Sequence, residues 1–464
     1  MTAWNDDDFR ARLREVLTGA PETPLVLLGN FEVEDRWARG EVGLPRLGAA
    51  SSSSAVVNRM DEFALLLATR RDVVVVKAAP DADYLAYLEA LGLGGARVLS
   101  PTAQDPGQSV SQDVLADPNL LGELSRLAED GYRIAPHGIS DLEEEIAGRT
   151  GVWLAGPPAE TCKYVNSKVY SRQLGTAYGL RQPDGRECTD LDELAAAVGW
   201  ARGVLRAGRR VIVKDAYGVS GKGLLVVEDP KRLDQLQRLI ANQAGKAGHD
   251  RVALVVEEWV DKRMDLNYQV TVGRDGSARL DFVKEAITEQ GVHKGHRFPV
   301  ALSNDHLGEL AEAAEVLAKR LAADGYTGIA GMDAMVDTRD ELYPVVEINA
   351  RNNMSTYQTV VQEAHVAAGT VALARYYRLR RRRPLPFSAL ARQLGDTLFT
   401  AGSRNGFMVN AFATVNAAVT EAGSDQASDG RLYGLLVAGS PAELDALDNG
   451  VAERLRALDE EDSA

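Results

Sequence analysis

Four consecutive valines, Val73-Val74-Val75-Val76, constrain this chain more than any other feature. An uninterrupted β-branched run has no polar edge to turn toward water, so it belongs to a strand in a sheet covered on both faces. Pro24-Leu25-Val26-Leu27-Leu28-Gly29-Asn30 is a second apolar run, closed by a turn. Between the two, Val56, Met60, Phe63, Leu66 and Leu67 recur at helical spacing over 55–69, with Ser51 to Ser54 ahead of them as loop and cap material. Strands feeding helices over 1–150 read as an α/β layer. No GxGxxG follows the first strand, so no dinucleotide site is expected there. Leu91-Gly92-Leu93-Gly94-Gly95 reads as a helix stop.

The chain has 464 residues, enough for several domains. With 52 Lys and Arg against 67 Asp and Glu, its net charge of −15 would repel a phosphate backbone, so nucleic acid is not an expected partner. Local cations can still hold an anionic metabolite. The two cysteines, Cys162 and Cys188, form no CxxC pair, which excludes a disulfide scaffold and a thiolate zinc site and fits a reducing compartment. The acidic start MTAWNDDDFR is unlike a signal peptide. No run nears the ~18 apolar residues that span a bilayer, so the expectation is a cytoplasmic protein without a membrane partner.

From 151 the pattern changes. Helices are expected from 166 onward, at 189–206 and at 305–324, and strands at 210–214, 223–227, 253–258, 331–337 and 342–349. The basic run Arg378, Arg380, Arg381, Arg382 and Arg383 reads as a solvated helix end and linker. Beyond it, 406–416 and 431–438 read as partner strands and 440–457 as an amphipathic helix, a small C-terminal α+β unit of its own. The expected division is 1–150, 151–385 with a lid hairpin at about 210–228, and 386–464.

Chemistry concentrates in the middle part. Val211-Ile212-Val213-Lys214 runs into Gly218-Val219-Ser220-Gly221-Lys222-Gly223 and a return strand. Such a hairpin offers bare amides of Gly218, Ser220, Gly221 and Gly223 to phosphates. It is no Walker A loop, since Ala216 and Gly223 stand where Gly and Ser/Thr belong. Lys214 ends an apolar strand and Lys168 opens a helix; two such lysines can clamp the phosphates of one nucleotide. Val256-Glu257-Glu258-Trp259-Val260 is a strand entering an acidic hinge, where Glu257 can accept from an adenine amine, and Asp265 beyond it can accept from ribose hydroxyls. Glu347 and Asn349 share one strand face, and Asp333 on the strand before them can join an all-oxygen cluster suited to magnesium. Arg351 continues that face toward a transferring phosphoryl group.

This order of lysine, strand lysine, Gly-rich lid, acidic hinge, Asp and Glu-x-Asn resembles the ATP-grasp superfamily over 151–383. The resemblance implies ATP bound with two magnesium ions, manganese being a substitute, between two α+β lobes, and a carboxylate activated as an acyl phosphate for attack by an amine. It implies Lys168, Lys214, Glu257, Glu258, Val260 and Asp265 for the nucleotide and Asp333, Glu347 and Asn349 for metal, with Arg351 and Lys222 assigned to catalysis. Asp333 and Asp265 depart from the glutamates of many members. The N-terminal α/β unit is similar to a pre-ATP-grasp domain. Asn410-Ala411-Phe412 and Gly430-Arg431-Leu432 resemble the C-terminal domain of the pheganomycin-type peptide ligases. The expected fold is therefore a multidomain α/β and α+β chain. The expected function is amide formation between amino acids in natural-product or non-proteinogenic amino-acid biosynthesis. Phosphorylation or carboxylation of a small metabolite is the alternative, although the chain has no Met-Lys-Met biotin site. The stretch His293, Lys294, His296 and Arg297 reads as a glycine-flanked loop that closes on an amino-acid carboxylate, with glutamate as candidate substrate. The resemblance also implies a possible homodimer.

Overall fold

A computed structural model describes residues 8–45, 51–218, 223–289, 292–419 and 426–463. The N-terminal part holds β1 (Leu25–Leu28), β2 (Val73–Val75), β3 (Arg97–Leu99), β4 (Arg133–Pro136) and β5 (Trp153–Leu154), a parallel sheet in the order β3-β2-β1-β4-β5. Both faces are covered, as the valine run requires. Val26, Leu28, Val73 and Val75 pack with Leu121, Leu124 and Ile146 of the following helices, while Leu25, Leu27 and Val74 face Phe63 and Leu66 on the other side. Asp81, Asp117 and Ser140 cap the helices Ala82–Ala90, Pro118–Glu129 and Asp141–Thr150 by accepting from first-turn amides. The segment expected as one helix over 55–69 is broken into Ser51–Asn58, a 3-10 turn Met60–Phe63 and Ala64–Leu67. Ser51 to Ser54 are the first turn of the first piece, not a loop ahead of it.

Next comes a four-stranded antiparallel sheet, β6 (Gly185–Asp190), β7 (Val211–Asp215), β8 (Leu224–Val227) and β9 (Arg251–Glu258), ordered β6-β9-β7-β8. β6 was not foreseen. Val211 and Val213 face the helices Leu191–Arg206 and Pro230–Ala247, which bury one side of the sheet. Alternation then turns Lys214 to the open side.

The third sheet has eight antiparallel strands: β10 (Lys262–Val272), β11 (Ala278–Glu289), β12 (Val292–Phe298), β13 (Gly328–Asp337), β14 (Leu342–Asn349), β15 (Val371–Arg381), β16 (Gly406–Ala411) and β17 (Ser428–Ala438). Their order is β14-β13-β10-β11-β12-β15-β17-β16. Leu266, Tyr268, Val270 and Val272 of β10 pack on Leu310, Ala314, Leu317 and Leu321 of the helix Asn304–Ala323. The opposite face is left to the odd-numbered residues of β10.

Two expectations change here. The C-terminal strands build no sheet of their own: β17 pairs along all of β15, and β15 pairs with β12. The basic run is not a helix end either. Arg378, Arg380 and Arg381 lie on β15, with Arg378 and Arg380 exposed and Arg381 buried, donating to the carbonyl of Leu458 at 2.8 Å. Both cysteines are buried and free. Among the described residues no helix is long and apolar enough to cross a membrane.

Candidate active site

β7 and β9 are hydrogen-bonded neighbours, with Lys214 opposite Val255 and Ile212 opposite Glu257. Lys214 and Glu257 therefore share the open face, and they form a buried ion pair. Arg172, on the helix Lys168–Ala177, is a second cation for Glu257 at 2.9 Å and also donates to the carbonyl of Pro183. The carboxylate expected to accept from adenine is thus already held by two cations, so the lysine and the glutamate act as one unit. Glu258 pairs with Arg209, and its amide donates to Asp184 at 2.7 Å. Val260 follows as half-buried coil leading into β10.

β7 and β8 form the expected hairpin. Gly218 presents its carbonyl to Lys168 Nζ at 2.7 Å. Gly223 has a φ of 81°, and a Cβ there would lie 2.8 Å from the Asp215 carboxylate, so position and backbone both require glycine. Ser220, Gly221 and Lys222 lie outside the described residues.

On the facing sheet one row of side chains runs across three strands. Asn267 of β10 is opposite Asp333 of β13, which is opposite Glu347 of β14. Asn267 Nδ2 donates to Asp333 at 2.9 Å and Asn349 Nδ2 at 3.3 Å. Burial, with the Glu347 carboxylate opposite, pushes the Asp333 carboxyl up to about 6. Lys168 Nζ meets Glu347 at 2.5 Å, tying the start of its helix to both the hairpin and this row. Asp265 lies on the same face of β10, where it accepts from Thr288 at 2.5 Å and pairs with Lys262.

Two carboxylates and an amide oxygen converging from adjacent strands are an all-oxygen donor set of the kind magnesium takes. Among the described residues no third carboxylate, histidine or thiolate completes a ligand cluster. Phosphate oxygens and water would have to supply the remaining positions. Arg351, just past β14, is half-buried; its Nη2 donates to Asn349 Oδ1 at 3.0 Å and to Glu34 at 2.7 Å. Glu34 belongs to the N-terminal unit, and the amide of Asn352 donates to the carbonyl of His137 from the same unit. The arginine is thus aimed by a different domain.

The segment expected as a substrate loop is strand β12. It pairs with β11 and β15, and Arg297, opposite Glu285, is exposed on the face turned away from Asn267 and Asp333. Arg297 therefore cannot reach the row, and the local support it lent to glutamate is gone. His296 lies on the row's face. A register shift between Ile287 and Thr288 brings His293 onto that face too, with the two Nε2 atoms 3.1 Å apart and Ser355 Oγ 3.1 Å from His296 Nδ1. Burial holds His293 down to about 4, and burial with His293 and Lys284 nearby holds His296 well below the usual range. Lys294 stacks over Tyr376 at 5.9 Å.

Sequence reasoning missed Asn267, Gln269, Lys284, Arg172 and Glu34. Asp265, Asn267, Gln269 and Thr271 alternate with Leu266, Tyr268, Val270 and Val272, a period-two signal that was there to be read. Glu34 carries no such signal, because its partner is 317 residues away.

Residues 60–152 match the Pre ATP-grasp domain family, and residues 178–373 match the carbamoyl-phosphate synthase L chain, ATP binding domain. The [butirosin acyl-carrier protein]–L-glutamate ligase of Niallia circulans is 28% identical over 312 residues, 66% of this chain and 67% of that protein. In fold, the chain is similar to a biotin carboxylase–βγ-ATP complex from Campylobacter jejuni, with TM-score 0.53, 16% identity, and 84% and 86% of the two chains covered. It is similar also to the biotin carboxylase domain dimer of Hydrogenobacter thermophilus 2-oxoglutarate carboxylase, solved with MgADP and bicarbonate. There the TM-score is 0.51 at 13% identity, with 92% and 89% covered.

Proposed function

We propose that this chain, which joins a pre-ATP-grasp domain to an ATP-grasp domain, is an ATP-dependent carboxylate–amine ligase acting on amino acids. The observation that carries the reading is the row Asn267, Asp333 and Glu347, met by Lys168 and with Arg351 fixed beside it, together with the Lys214–Glu257 pair on the four-stranded sheet. In the proposed reaction a substrate carboxylate oxygen attacks the γ-phosphorus of ATP and ADP leaves. An amine then attacks the acyl carbon, inorganic phosphate leaves, and the amine gives up a proton.

Lys168 and Lys214 would neutralise phosphate oxygens, releasing Glu347 and Glu257 from their present pairings. Asp333, Glu347 and Asn349 would hold magnesium, which supplies charge neutralisation to the phosphates. Arg351 has a fixed guanidinium beside these groups, where donors already in place stabilise developing charge without reorganising.

Glutamate is the first amino acid to test, on the strength of the relative that ligates it, and antibiotic-type biosynthesis is the setting that relative supports. The test is ADP release over a panel of amino acids and pairs, with mass spectrometry of the products. ADP and phosphate should form only when carboxylate and amine are both present, together with an amide. ADP release on bicarbonate alone, or a phosphorylated product without an amide, would favour the carboxylating or phosphorylating alternative. Homodimerisation belongs to the same proposal, and light scattering of the pure chain would show a monomer if it is wrong.

A further inference from the structure

The row that begins at Glu347 does not stop at Asn267. Lys284 of β11 is opposite Asn267, on the same face. Its side chain is completely buried, and among the described residues its ammonium makes no hydrogen bond or ion pair. Among the described residues it lies over the rings of Phe282 and Phe298, at 4.2 and 4.6 Å, with His296, kept neutral by burial, as its titratable neighbour. Two ring faces compensate an ammonium only partly for the water it has lost. As a packing element a lysine here is a poor choice, because an apolar chain of the same length would fill the space without the desolvation cost. A buried amine with no counter-ion among the described residues, opposite an Asn267 whose Oδ1 also has no partner, is half of an interaction.

We propose that Lys284 is a substrate-binding residue whose ammonium receives the non-reacting carboxylate of the amino-acid substrate. The proposal rests on the ligase reading for the nature of that substrate. Neighbouring strands are about 4.8 Å apart, so Lys284 is two strands, roughly 10 Å, from Asp333. An amino acid lying across β10 can therefore place one carboxyl near Asp333 and Arg351 while its other carboxyl reaches Lys284. Phe282 and Phe298 flank the ammonium and would exclude water from the pair, which strengthens it. Burial also makes the ammonium easier to deprotonate, down to about 7, a cost that an anion beside it would offset.

The experiment compares the full-length wild type with Lys284→Met and Lys284→Arg, using L-glutamate first and then the other amino acids. Lys284→Met should raise the KM of the amino-acid substrate roughly 50-fold and leave the KM of ATP within about twofold. It should also melt higher than the wild type, because it removes an unpaired buried charge. Lys284→Arg should recover part of the loss. A change in amino-acid KM below about threefold overturns the proposal, and so does a Lys284→Met protein that melts lower or fails to fold, since the lysine would then be a structural partner. Binding of no amino acid by the wild type also overturns it. The ligase reading fails separately, if ADP appears without an amide while the KM effect of Lys284→Met persists.

Discussion

Replacing Lys284 by methionine should change how stability depends on pH, and the size of the change follows from one buried group. Desolvation alone brings the Lys284 ammonium down to about 7 in the folded protein, and no carboxylate opposes it. The charged or titratable neighbour facing it is His296 on β12, which burial keeps neutral. In the unfolded chain a lysine titrates near ~10.4. Between these values the unfolded state holds a proton that the folded state has lost, so the free energy of unfolding rises with pH. The burden of Lys284 is therefore full below pH 7, shrinks as pH rises, and is gone above the unfolded value. The slope approaches ~1.4 kcal/mol per pH unit, which gives about 2 kcal/mol between pH 7.5 and 9. For a domain of about 200 residues this corresponds to roughly 4–8 °C in Tm. Melting curves of both proteins across that range make the measurement, and buried tyrosines and cysteines common to both cancel in the difference. Lys284→Met should start above the wild type, and the gap should close by that amount. Parallel Tm profiles would refute the reasoning, because they would mean that Lys284 titrates alike in both states.

Other outcomes follow from the site. Glu347→Gln keeps the shape of the row but removes a charge that magnesium and Lys168 both need; ADP release should fall ~10²-fold or more with the Tm little changed, and wild-type turnover would misplace the metal. Glu34→Gln leaves the half-buried Arg351 without its carboxylate, so stability should drop by about 2 kcal/mol and turnover at least about tenfold, read by denaturation and ADP assay. Arg297→Ala should leave the KM values for ATP and amino acid unchanged within about twofold, since its side chain is on the far face of β12; a selective rise in the amino-acid KM would show that the strand reading is wrong.

Much of the site was legible because strand chemistry is local. Lys214 at the end of an apolar run and the alternation Glu347, Asn349, Arg351 announce a face by residue type and spacing alone. The opposite holds for β12. Its glycine and its cluster of cations read as a loop, yet Gly295 is needed because a Cβ would lie 1.9 Å from the carbonyl of Ala374 on β15. That glycine reports the close approach of another strand, which only the tertiary fold reveals. Lys284 was hidden for a related reason. Within Asp281-Phe282-Val283-Lys284-Glu285 it looks like one more surface charge, and only the fold shows that it is buried and, by its register against Asn267, in line with the Asp333 and Glu347 carboxylates. The joining of β15 and β17 to the eight-stranded sheet is likewise a pairing between segments about fifty residues or more apart, for which no local pattern exists.

The eight-stranded sheet changes character from one edge to the other, and the change explains where a substrate fits. On the row's face, β14, β13 and β10 present Glu347, Asp333 and Asn267, each with a polar partner. From β15 onward the same face presents Ala372, Ala374, Leu435 and Met408, all buried in an apolar core shared with the N-terminal unit. Lys284 on β11 and His296 on β12 sit at the boundary, with Phe298 on one side and Asn267 on the other. A fully apolar residue at 284 would simply extend the core inward, and a paired polar residue would extend the polar row outward. An unpaired ammonium does neither and leaves the boundary incomplete. In the proposed reaction, phosphate chemistry would need charge and metal at the β14 edge, whereas selection of an amino acid would need a fixed anchor about one substrate length away. The C-terminal strands, by extending the sheet, supply the apolar wall behind that anchor. With Lys284 as the proposed anchor, changes in the buried face of the C-terminal segment should alter the KM for the amino acid before they alter the KM for ATP.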